Sequence, residues 1–493
     1  MQRIARVAVT ILTLSTSVAY ATGLRVPIEN GLGTPGVAAG PALAEDASTG
    51  ITNPAGLVRI NDYPEFVMAV NPAFTSTNFK GTVDVEPNGI DALGTTNTGN
   101  ADAKLNVPLL ALHLSFPLKK WLVYGFSLTN PFGQSVDYPE NSIVAPRVTE
   151  ATLITWDISN SFGFQITPEF SVGVGIDAIL LDFSAENLYP ITLGPIPGPS
   201  IFTQNEAAGW SMSWHAGALY QFNNKHSRVG FNYRPPVEME GDGRSYSSFG
   251  LESFGTGSPL AIDLSPVVNK DFTVKFDLPP IYSLAIYHQI MPRLDIALST
   301  EFTQWSYFDE IQFSNVVNTP DFNSPQGYKN TWGYGASAFY QWTQQFRTSV
   351  GLKFDYSPLN PKYITPDFPD SDVWVLGVSG AYQFNRVVRL EVGYSHSFFQ
   401  EVEINTYDPV AFTQITGVGH LYGDVINTQL TINLAPIVKR YDNFNEYVSP
   451  PNKPEWPKTD PLSKPAAEAN QTEANPAEEM QAEEEFAEEK PTA

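Results

Sequence analysis

The chain has 493 residues, a formal net charge of −24 and no cysteine. The acidic balance argues against a protein that binds DNA or RNA, and the absence of cysteine excludes disulfides and thiolate metal sites. A mean hydropathy of −0.16 is too polar for a helical membrane protein, whereas 16% charged residues, 13% aromatic residues and 36 glycines suit a β-barrel with a wet interior.

A signal peptide is predicted over residues 1–21. A basic start precedes the short apolar run from Val7 to Leu14, and Ala19-Tyr20-Ala21 is a small-x-small cleavage site. The apolar run is too short to cross a bilayer as a helix. Cleavage at this site makes Thr22 the first mature residue and predicts an exported protein.

Residues 22–60 are predicted to form a hatch that plugs the lumen of a barrel. The segment shows little strand alternation and is rich in small residues, as in Gly31-Leu32-Gly33 and Ala38-Ala39-Gly40. Such residues allow backbone to pack closely inside a lumen. The alternative interpretation is a flexible N-terminal arm.

Residues 61–435 are predicted to form an all-β, fourteen-stranded antiparallel transmembrane β-barrel. Apolar and polar residues alternate with a period of two, which is the geometry of a strand. Six short turns join such stretches, and longer connections alternate with these turns, a pattern typical of outer-membrane barrels with both ends in the periplasm. The predicted strands cover residues 64–78, 105–118, 121–136, 150–166, 169–187, 207–222, 227–240, 271–290, 293–314, 328–342, 345–357, 372–384, 387–404 and 420–434. The long connections 79–104, 188–206 and 241–270 are expected to face outside.

The apolar face of the strands is predicted to meet lipid, because a charge that faces the bilayer centre is costly. Charged residues such as Lys275, Lys353 and Arg389 fall on the other face and are expected in the lumen. A soluble β-sandwich has the opposite sense, and alternation alone does not separate the two. Long strands, aromatic residues beside the short turns and the signal peptide favour the membrane.

The third strand contains a predicted break. Its alternation reaches Leu128 and then meets Asn130, Pro131, Phe132 and Gly133. Proline lacks the donor that a strand ladder needs, and glycine weakens a strand interior. We expect an interruption that leaves a gap in the barrel wall; the alternative is that the strand ends here and a loop begins.

Ligand contacts are predicted from residue type. A loop groove for a hydrophobic molecule needs apolar side chains, and a carboxylate head needs a cation. The candidates are Leu193, Ile196 and Phe202 in the connection 191–202, and the cations Arg147, Arg228, Lys275 and Lys353. The alternative for each cation is a lumen charge that is solvated or paired.

No enzyme, metal site or cofactor is predicted. His396 lies between Ser395 and Ser397, but alternation places these serines on the opposite face, and there is no G-x-S-x-G motif. No histidine pair has metal-ligand spacing. The acidic run 367–372 offers oxygen ligands for a surface Ca²⁺, but a solvated acidic loop is the preferred interpretation.

Residues 436–493 are predicted to form a disordered periplasmic tail. The segment is rich in proline and then in glutamate, as in Glu483-Glu484-Glu485, and this composition cannot bury a core. A solubilising tail is the leading interpretation, and a tether to a periplasmic partner is the alternative.

The predicted hatch resembles that of the FadL/TodX (OMPP1) family. The similar runs are Gly31-Leu32-Gly33, Asp46-Ala47-Ser48 and Asn53-Pro54-Ala55-Gly56-Leu57, and the resemblance continues through 302–306 and 355–358. The family consists of outer-membrane channels for long-chain fatty acids and other hydrophobic compounds. The resemblance therefore implies a barrel in the outer membrane of a Gram-negative cell.

The resemblance also implies a mechanism of passive uptake. Ligand would move from the extracellular loops to a pocket beside the hatch and leave sideways through the break in the third strand. The expected moving residues are Thr22, Gly23 and Leu24, and the expected anchoring residues are Asn53, Pro54 and Ala55. The expected partners are the hydrophobic ligand, outer-membrane lipids with lipopolysaccharide, and the barrel-assembly machinery. Uptake of monoaromatic hydrocarbons and a non-transport barrel for adhesion or envelope structure are the alternatives.

Overall fold

The computed structural model describes residues 23–26, 31–60, 63–86, 95–193, 196–250, 268–317, 319–409 and 412–435. The predicted signal peptide, Thr22 and the predicted tail 436–493 lie outside the described residues.

Fourteen antiparallel strands form a closed barrel, so the predicted number is confirmed. Neighbouring strands pair in chain order, and the last strand pairs with the first and closes the ring. The strands are β1 (Glu65–Val85), β2 (Thr95–Lys119), β3 (Leu122–Thr129 and Gly133–Asp137), β4 (Glu150–Gln165), β5 (Phe170–Leu193), β6 (Ile196–Phe222), β7 (Ser227–Arg234 and Val237–Gly250), β8 (Val268–Leu278 and Ile281–Met291), β9 (Leu294–Thr303 and Glu310–Ser314), β10 (Thr331–Gln341), β11 (Phe346–Asp355), β12 (Val373–Gln383), β13 (Val388–Phe399 and Val402–Asp408) and β14 (Thr413–Asn433). A short strand, Phe322–Pro325, pairs with the second segment of β9.

Two connections predicted as loops are largely strand. β1 continues to Val85 and pairs with β2 from Thr95, and β5 and β6 pair as far as Leu193 and Ile196. The predicted loops 79–104 and 188–206 were therefore wrong in extent. The physical reason is that a hairpin satisfies its own backbone hydrogen bonds and can continue beyond the apolar band of the membrane.

Residues 31–60 form short helices that pack against the inner face of the barrel. They comprise α1 (Thr34–Ala39), α2 (Thr49–Thr52), α3 (Leu57–Ile60) and the 3₁₀ turns Gly40–Ala42 and Pro54–Gly56; a further 3₁₀ turn, Trp305–Tyr307, follows the first segment of β9. Pro35 lies in the first turn of α1, where its missing N–H costs nothing. Within the described ranges, no helix is long and apolar enough to cross a membrane.

Wall glycines allow this close packing. A Cβ at Gly163 would lie 2.6 Å from the carbonyl oxygen of Pro54, and one at Gly351 would lie 2.6 Å from Pro35 Cα. A Cβ at Gly217 would overlap the Asn53 side-chain oxygen. Because glycine has no side chain at these strand positions, the N-terminal backbone can lie in direct contact with the strands.

The predicted orientation of the two strand faces holds only in the periplasmic half. On β11, Val350 and Leu352 are exposed on the outside, while Arg347 and Lys353 are buried on the inside. Farther from the periplasmic turns, the inner face becomes apolar. It carries a cluster of buried residues that includes Leu153, Ile179, Leu181, Phe183, Val237, Met239, Phe272, Val274 and Phe276.

Lys275 corrects the prediction that it faces the lumen. Its neighbours Val274 and Phe276 are buried in the apolar cluster, and Lys275 Nζ instead lies 2.5 Å from Glu238 Oε1 among exposed side chains. The alternation reverses because this part of the wall extends beyond the lipid, where the outside is water and the apolar residues gain by turning inward.

Candidate functional site

The third strand is interrupted at residues 130–132. Its first segment pairs with β2, from Leu112 opposite Leu128 to Lys119 opposite Leu122. Among the described ladders, the second segment, Gly133–Asp137, pairs only with β4. The ladder between β2 and β3 therefore stops halfway up the wall; we call this interruption the wall gap.

The N-terminal segment 23–26 binds the chain at the wall gap. Arg25 and Phe132 form an antiparallel bridge. Val26 N–H donates to the Pro131 carbonyl at 2.9 Å, and Gly133 N–H donates to the Leu24 carbonyl at 2.8 Å. The segment thus takes the place of a strand neighbour for backbone groups that β2 leaves without a partner.

Thr155 of β4 holds the same chain from the other side. Its backbone N–H and its hydroxyl both donate to the Phe132 carbonyl, at 2.8 Å and 3.0 Å, and its Oγ1 accepts from Phe132 N–H at 3.2 Å. Asn130 Nδ2 also donates to the Thr155 carbonyl at 3.2 Å. Thr129 lies opposite Asp157 and Gly133 lies opposite Ile154, so β3 has one extra residue here. These bonds replace the ladder bonds that the extra residue disrupts.

Leu24 anchors the N-terminal segment by apolar burial. Its side chain is 1% exposed and belongs to the apolar cluster of the inner wall, with Phe132 and Trp305. The rings of Phe132 and Trp305 meet edge to face with centroids 6.3 Å apart. The segment that covers the wall gap therefore also fills apolar space inside the barrel.

Asp370 fixes the start of the segment. It lies in the connection between β11 and β12, and its Oδ2 accepts from Gly23 N–H at 2.7 Å and from the Ser357 hydroxyl at 2.8 Å. Its Oδ1 is buried without a hydrogen-bond partner. Burial raises the pKa of Asp370 to about 8, although the hydrogen bonds from Gly23 and Ser357 oppose this shift.

Docking of residues 23–26 is expected to weaken as the pH rises. The docked Asp370 binds its proton more tightly than an exposed carboxyl with a pKa of about 4, so the gain in docking is full below about pH 4 and is lost as the pH rises through 8. Thiol labelling of Leu24→Cys, relative to the exposed position Asn224→Cys, should increase at least about tenfold between pH 5 and pH 9. Asp370→Asn should abolish this pH dependence, and a persisting slope would contradict the assignment.

Asn53 joins two parts of the N-terminal region to the wall. Its Nδ2 donates to the carbonyls of Pro41 at 2.8 Å and of Ala218 on β6 at 3.2 Å, and its Oδ1 accepts from Ala55 N–H at 3.2 Å. Pro54 and Ala55 complete the buried 3₁₀ turn. The Asn-Pro-Ala triplet is thus held rigidly against β5 and β6.

Buried charges of the inner wall hold further points of residues 31–60. Arg347 Nη1 lies 2.6 Å from Glu45 Oε2, and Arg389 Nη2 lies 4.0 Å from the same oxygen. Arg234 Nη2 donates to the Ile51 carbonyl at 3.1 Å. The polar inner face is therefore occupied by the N-terminal region instead of by water alone.

A cleft remains between residues 31–60 and the inner wall. Cations and anions both line it: Arg25, Arg234 and Lys353, with Glu45, Asp46 and Glu301. Arg25 Nε lies 3.9 Å from Glu301 Oε1, and Lys353 Nζ lies 2.8 Å from Asp355 Oδ2.

The structure separates the predicted cations. Lys353 lines the cleft, whereas Arg228 is stacked on the ring of Tyr287, 3.9 Å from its centroid, nearer the periplasmic end of β7. Arg147 lies in the connection after β3, with Nη2 2.6 Å from Asp367 Oδ2 and Nε 3.3 Å from Asp408 Oδ2. Arg147 thus ties extracellular connections together and does not enter the cleft.

The predicted apolar loop contacts lie in a hairpin. Leu193 and Ile196 are paired residues at the far end of β5 and β6, and the ring of Phe202 meets Tyr246 edge to face with centroids 6.3 Å apart. The prediction of a loop at these positions was wrong because the chain continues its strand pairing there.

The acidic run 367–372 serves as a set of internal contacts. Asp367 pairs with Arg147, Asp370 holds Gly23, and Asp372 Oδ1 accepts from Ser357 N–H at 2.8 Å. In the part of the chain that the structure describes, no three His, Cys, Asp or Glu side chains are grouped to hold a metal ion.

His396 has a cross-strand partner that local spacing did not reveal. Its Nδ1 lies 2.6 Å from Asp424 Oδ1 on β14, on the outer face of the barrel. Ser395 and Ser397 are buried on the inner face, where Ser395 instead bonds Thr34 at 2.9 Å. His396 is therefore separated from both adjacent serines by the wall.

The comparison with known proteins decides the family. Residues 12–432 match the family described as outer membrane protein transport protein (OMPP1/FadL/TodX). The chain belongs to this family. It is 23% identical over 415 residues to the long-chain fatty acid transport protein of Escherichia coli (strain K12), and the aligned region covers 78% of this chain and 89% of the relative. It is 21% identical over 389 residues to outer membrane protein P1 of Haemophilus influenzae, over 72% of this chain and 81% of the relative.

Solved structures of OMPP1/FadL/TodX proteins share the fold. The FadL homologue of Pseudomonas aeruginosa superimposes with a TM-score of 0.73 at 21% identity, over 83% of this chain and 99% of that chain. The toluene transporter TodX of Pseudomonas putida gives a TM-score of 0.59 at 14% identity, over the same shares of the two chains. Family and barrel together identify a protein of the outer membrane, and the relatives whose names state a function are transport proteins, not enzymes.

Sequence reasoning did not predict the contacts of Asp370, Thr155 and Trp305, which lie far in sequence from residues 23–26. Trp305 lies in the run 302–306 that resembles the family, but that resemblance did not predict its place beside Leu24 in the apolar cluster. The acidic run that contains Asp370 suggested solvation or a cation instead of a backbone contact.

Proposed function

We propose that this protein is an outer-membrane channel for passive uptake of long-chain fatty acids or similar hydrophobic molecules, and that it releases them sideways through the wall gap. The observation that carries the proposal is the pairing of Leu24 and Val26 with the chain at Pro131 and Gly133. One short segment occupies both the apolar interior and the wall gap. A molecule that displaces this segment therefore takes its place in the interior and uncovers the wall gap.

The path through the wall suits an apolar cargo. Residues 31–60 fill much of the lumen and are anchored at Asn53 and Glu45, which obstructs a straight route to the periplasm. A hydrophobic molecule gains nothing from a water-filled exit, whereas the bilayer core accepts it. The gap between β2 and β3 supplies that route without removal of the hatch.

Displacement of Leu24 is the proposed trigger. An apolar ligand that enters the inner cluster competes for the space that Leu24 fills beside Phe132 and Trp305. Once Leu24 leaves, the two backbone hydrogen bonds at Pro131 and Gly133 lose their geometry. A ligand that binds only the displaced arrangement shifts the population toward an open gap.

The cleft favours a cargo with a carboxylate. Lys353 and Arg25 both line it, and each is placed beside a carboxylate that a ligand head could replace. The relatives named as long-chain fatty acid transport proteins agree with this cargo. Lys353 and Arg25 are therefore the proposed head-group partners.

Monoaromatic hydrocarbons are the second candidate cargo. The inner cluster is rich in rings, with Trp305, Phe308 and Tyr328 in mutual contact. The structural likeness to a toluene transporter shows a shared fold. A neutral aromatic molecule would use the cluster without the cations of the cleft.

Uptake of radiolabelled oleate tests the proposal, in a Gram-negative host that lacks its own fatty-acid channel. The chain should restore uptake, and Asn53→Ala should reduce it severalfold because three hydrogen bonds that position the anchor are lost, each contributing about 1 kcal/mol. Asn224→Ala, at an exposed turn, is the matched control.

The remaining outcomes discriminate between the cargoes. Uptake of toluene without oleate would support the second candidate. Correct membrane insertion, shown by heat-modifiable migration in a gel, with uptake of neither compound would overturn the transport proposal.

A further inference from the structure

Three polar side chains form one patch on the outer face of the barrel, where lipid is expected. Asp424 of β14 accepts hydrogen bonds from Tyr394 and His396 of β13, and the His396 Nδ1 to Asp424 Oδ1 distance is 2.6 Å. The Asp424 and His396 side chains are 44% and 35% exposed. An ionisable group on a lipid-facing surface is costly, so its presence there indicates a partner.

The surroundings of this patch are apolar and aromatic. Phe398 and Tyr422 lie one step farther from the periplasm, opposite each other across β13 and β14. Phe74 of β1 lies opposite Asp424, and Leu376 of β12 lies opposite His396. All four are exposed. The polar groups of the patch are therefore surrounded by exposed apolar and aromatic side chains.

The height of the patch matches the outer lipid interface. Asp424 lies nine residues from Asn433, the periplasmic end of β14. At about 3.3 Å per residue and a strand tilt of about 40°, this places Asp424 about 23 Å above the periplasmic rim. The apolar band of such barrels is about 25 Å tall, so the patch faces the head groups of the outer leaflet.

The free atoms define what the patch can bind. In the described part of the chain, Asp424 Oδ2 and His396 Nε2 have no protein partner, while Asp424 Oδ1 already accepts twice. The carboxylate oxygen can accept from an amide N–H or a hydroxyl, and the imidazole Nε2 can accept from a hydroxyl.

We propose that Tyr394, His396 and Asp424 form a binding site for the saccharolipid of the outer leaflet. The amide and hydroxyl groups of its glucosamine head bond Asp424 and His396, and its acyl chains run toward the bilayer centre over Leu376 and Ile426, which are exposed on the same outer face. A glycerophospholipid lacks this combination of amide and sugar hydroxyl groups. The site lies on the opposite side of the wall from the cleft and is independent of the transported cargo.

Native mass spectrometry of the full chain tests this site with two defined probes, Kdo2-lipid A and phosphatidylglycerol. The wild-type protein should retain Kdo2-lipid A in the presence of excess phosphatidylglycerol. The double variant His396→Leu and Asp424→Leu should retain about thirtyfold less, since two hydrogen bonds of about 1 kcal/mol each are removed. Tyr282→Phe, on the outer face of β8, is the matched control and should bind as the wild type does.

A second measurement guards against misfolding of the double variant. Kdo2-lipid A should raise the midpoint of heat-modifiable migration for the wild type and leave the double variant unchanged, while both start from folded barrels. Equal retention of Kdo2-lipid A by both proteins overturns the proposal. Displacement by phosphatidylglycerol, or a dimer in the wild type that the double variant lacks, overturns it in favour of a phospholipid or a second copy of the chain.

Discussion

Closing the wall gap should reduce oleate uptake to the level of the empty host. Thr129 lies opposite Asp157 and Gly133 lies opposite Ile154, so three residues of β3 face only two residues of β4. Replacement of Asn130-Pro131-Phe132 by Val-Thr removes the extra residue and allows β3 to continue as one strand beside β2. The valine would face lipid and the threonine would face the lumen.

The control for this change is the break in β8. Leu278 lies opposite Val237 and Ile281 lies opposite Arg234, so Pro279 and Pro280 interrupt β8 without an extra residue. Replacement of this proline pair by Val-Thr should leave uptake unchanged. Normal uptake by the continuous β3 variant, inserted correctly in the membrane, would show that cargo does not leave through the wall gap.

Loss of Arg347 should cost the barrel about 3–5 kcal/mol in its free energy of unfolding, because Glu45 is left buried without its close partner. Arg389 is 4.0 Å from the same oxygen and should recover part of this energy. The measurement is a guanidinium titration of Arg347→Ala in lipid vesicles, followed by tryptophan fluorescence.

The matched comparison removes both charges together. Glu45→Met with Arg347→Met keeps a similar volume and leaves no uncompensated charge from this pair, so it should be considerably more stable than Arg347→Ala. If Arg347→Ala unfolds at the wild-type denaturant concentration, Glu45 does not depend on Arg347, and the N-terminal region is held by its other contacts.

Much of the barrel could be predicted because alternation is a local property. The lipid-facing Val350 and Leu352 and the lumen-facing Arg347 and Lys353 show their faces in consecutive residues. The same rule misplaced Lys275, because the solvent on the outside of the wall changes from lipid to water along a strand. A local pattern contains no measure of height relative to the membrane.

The candidate site was predictable only in part. The Asn-Pro-Ala triplet and the Pro131-Gly133 break are short motifs with backbone consequences, and they indicated where to look. The pairing of Leu24 and Val26 with residues 131–133 joins positions more than a hundred residues apart. No spacing rule connects such positions, since the closed barrel alone brings them together.

Alternation along the chain was enough to predict a barrel of fourteen strands and its two faces near the periplasm, because side chains alternate with a period of two whatever the surroundings. The closed barrel was needed to show that Asp370 and Thr155 hold the two chains at the wall gap, and that Asp424 completes a patch with His396. Hydrogen bonds between distant strands depend on register and closure, and these are set by the whole ring of strands instead of by any one of them.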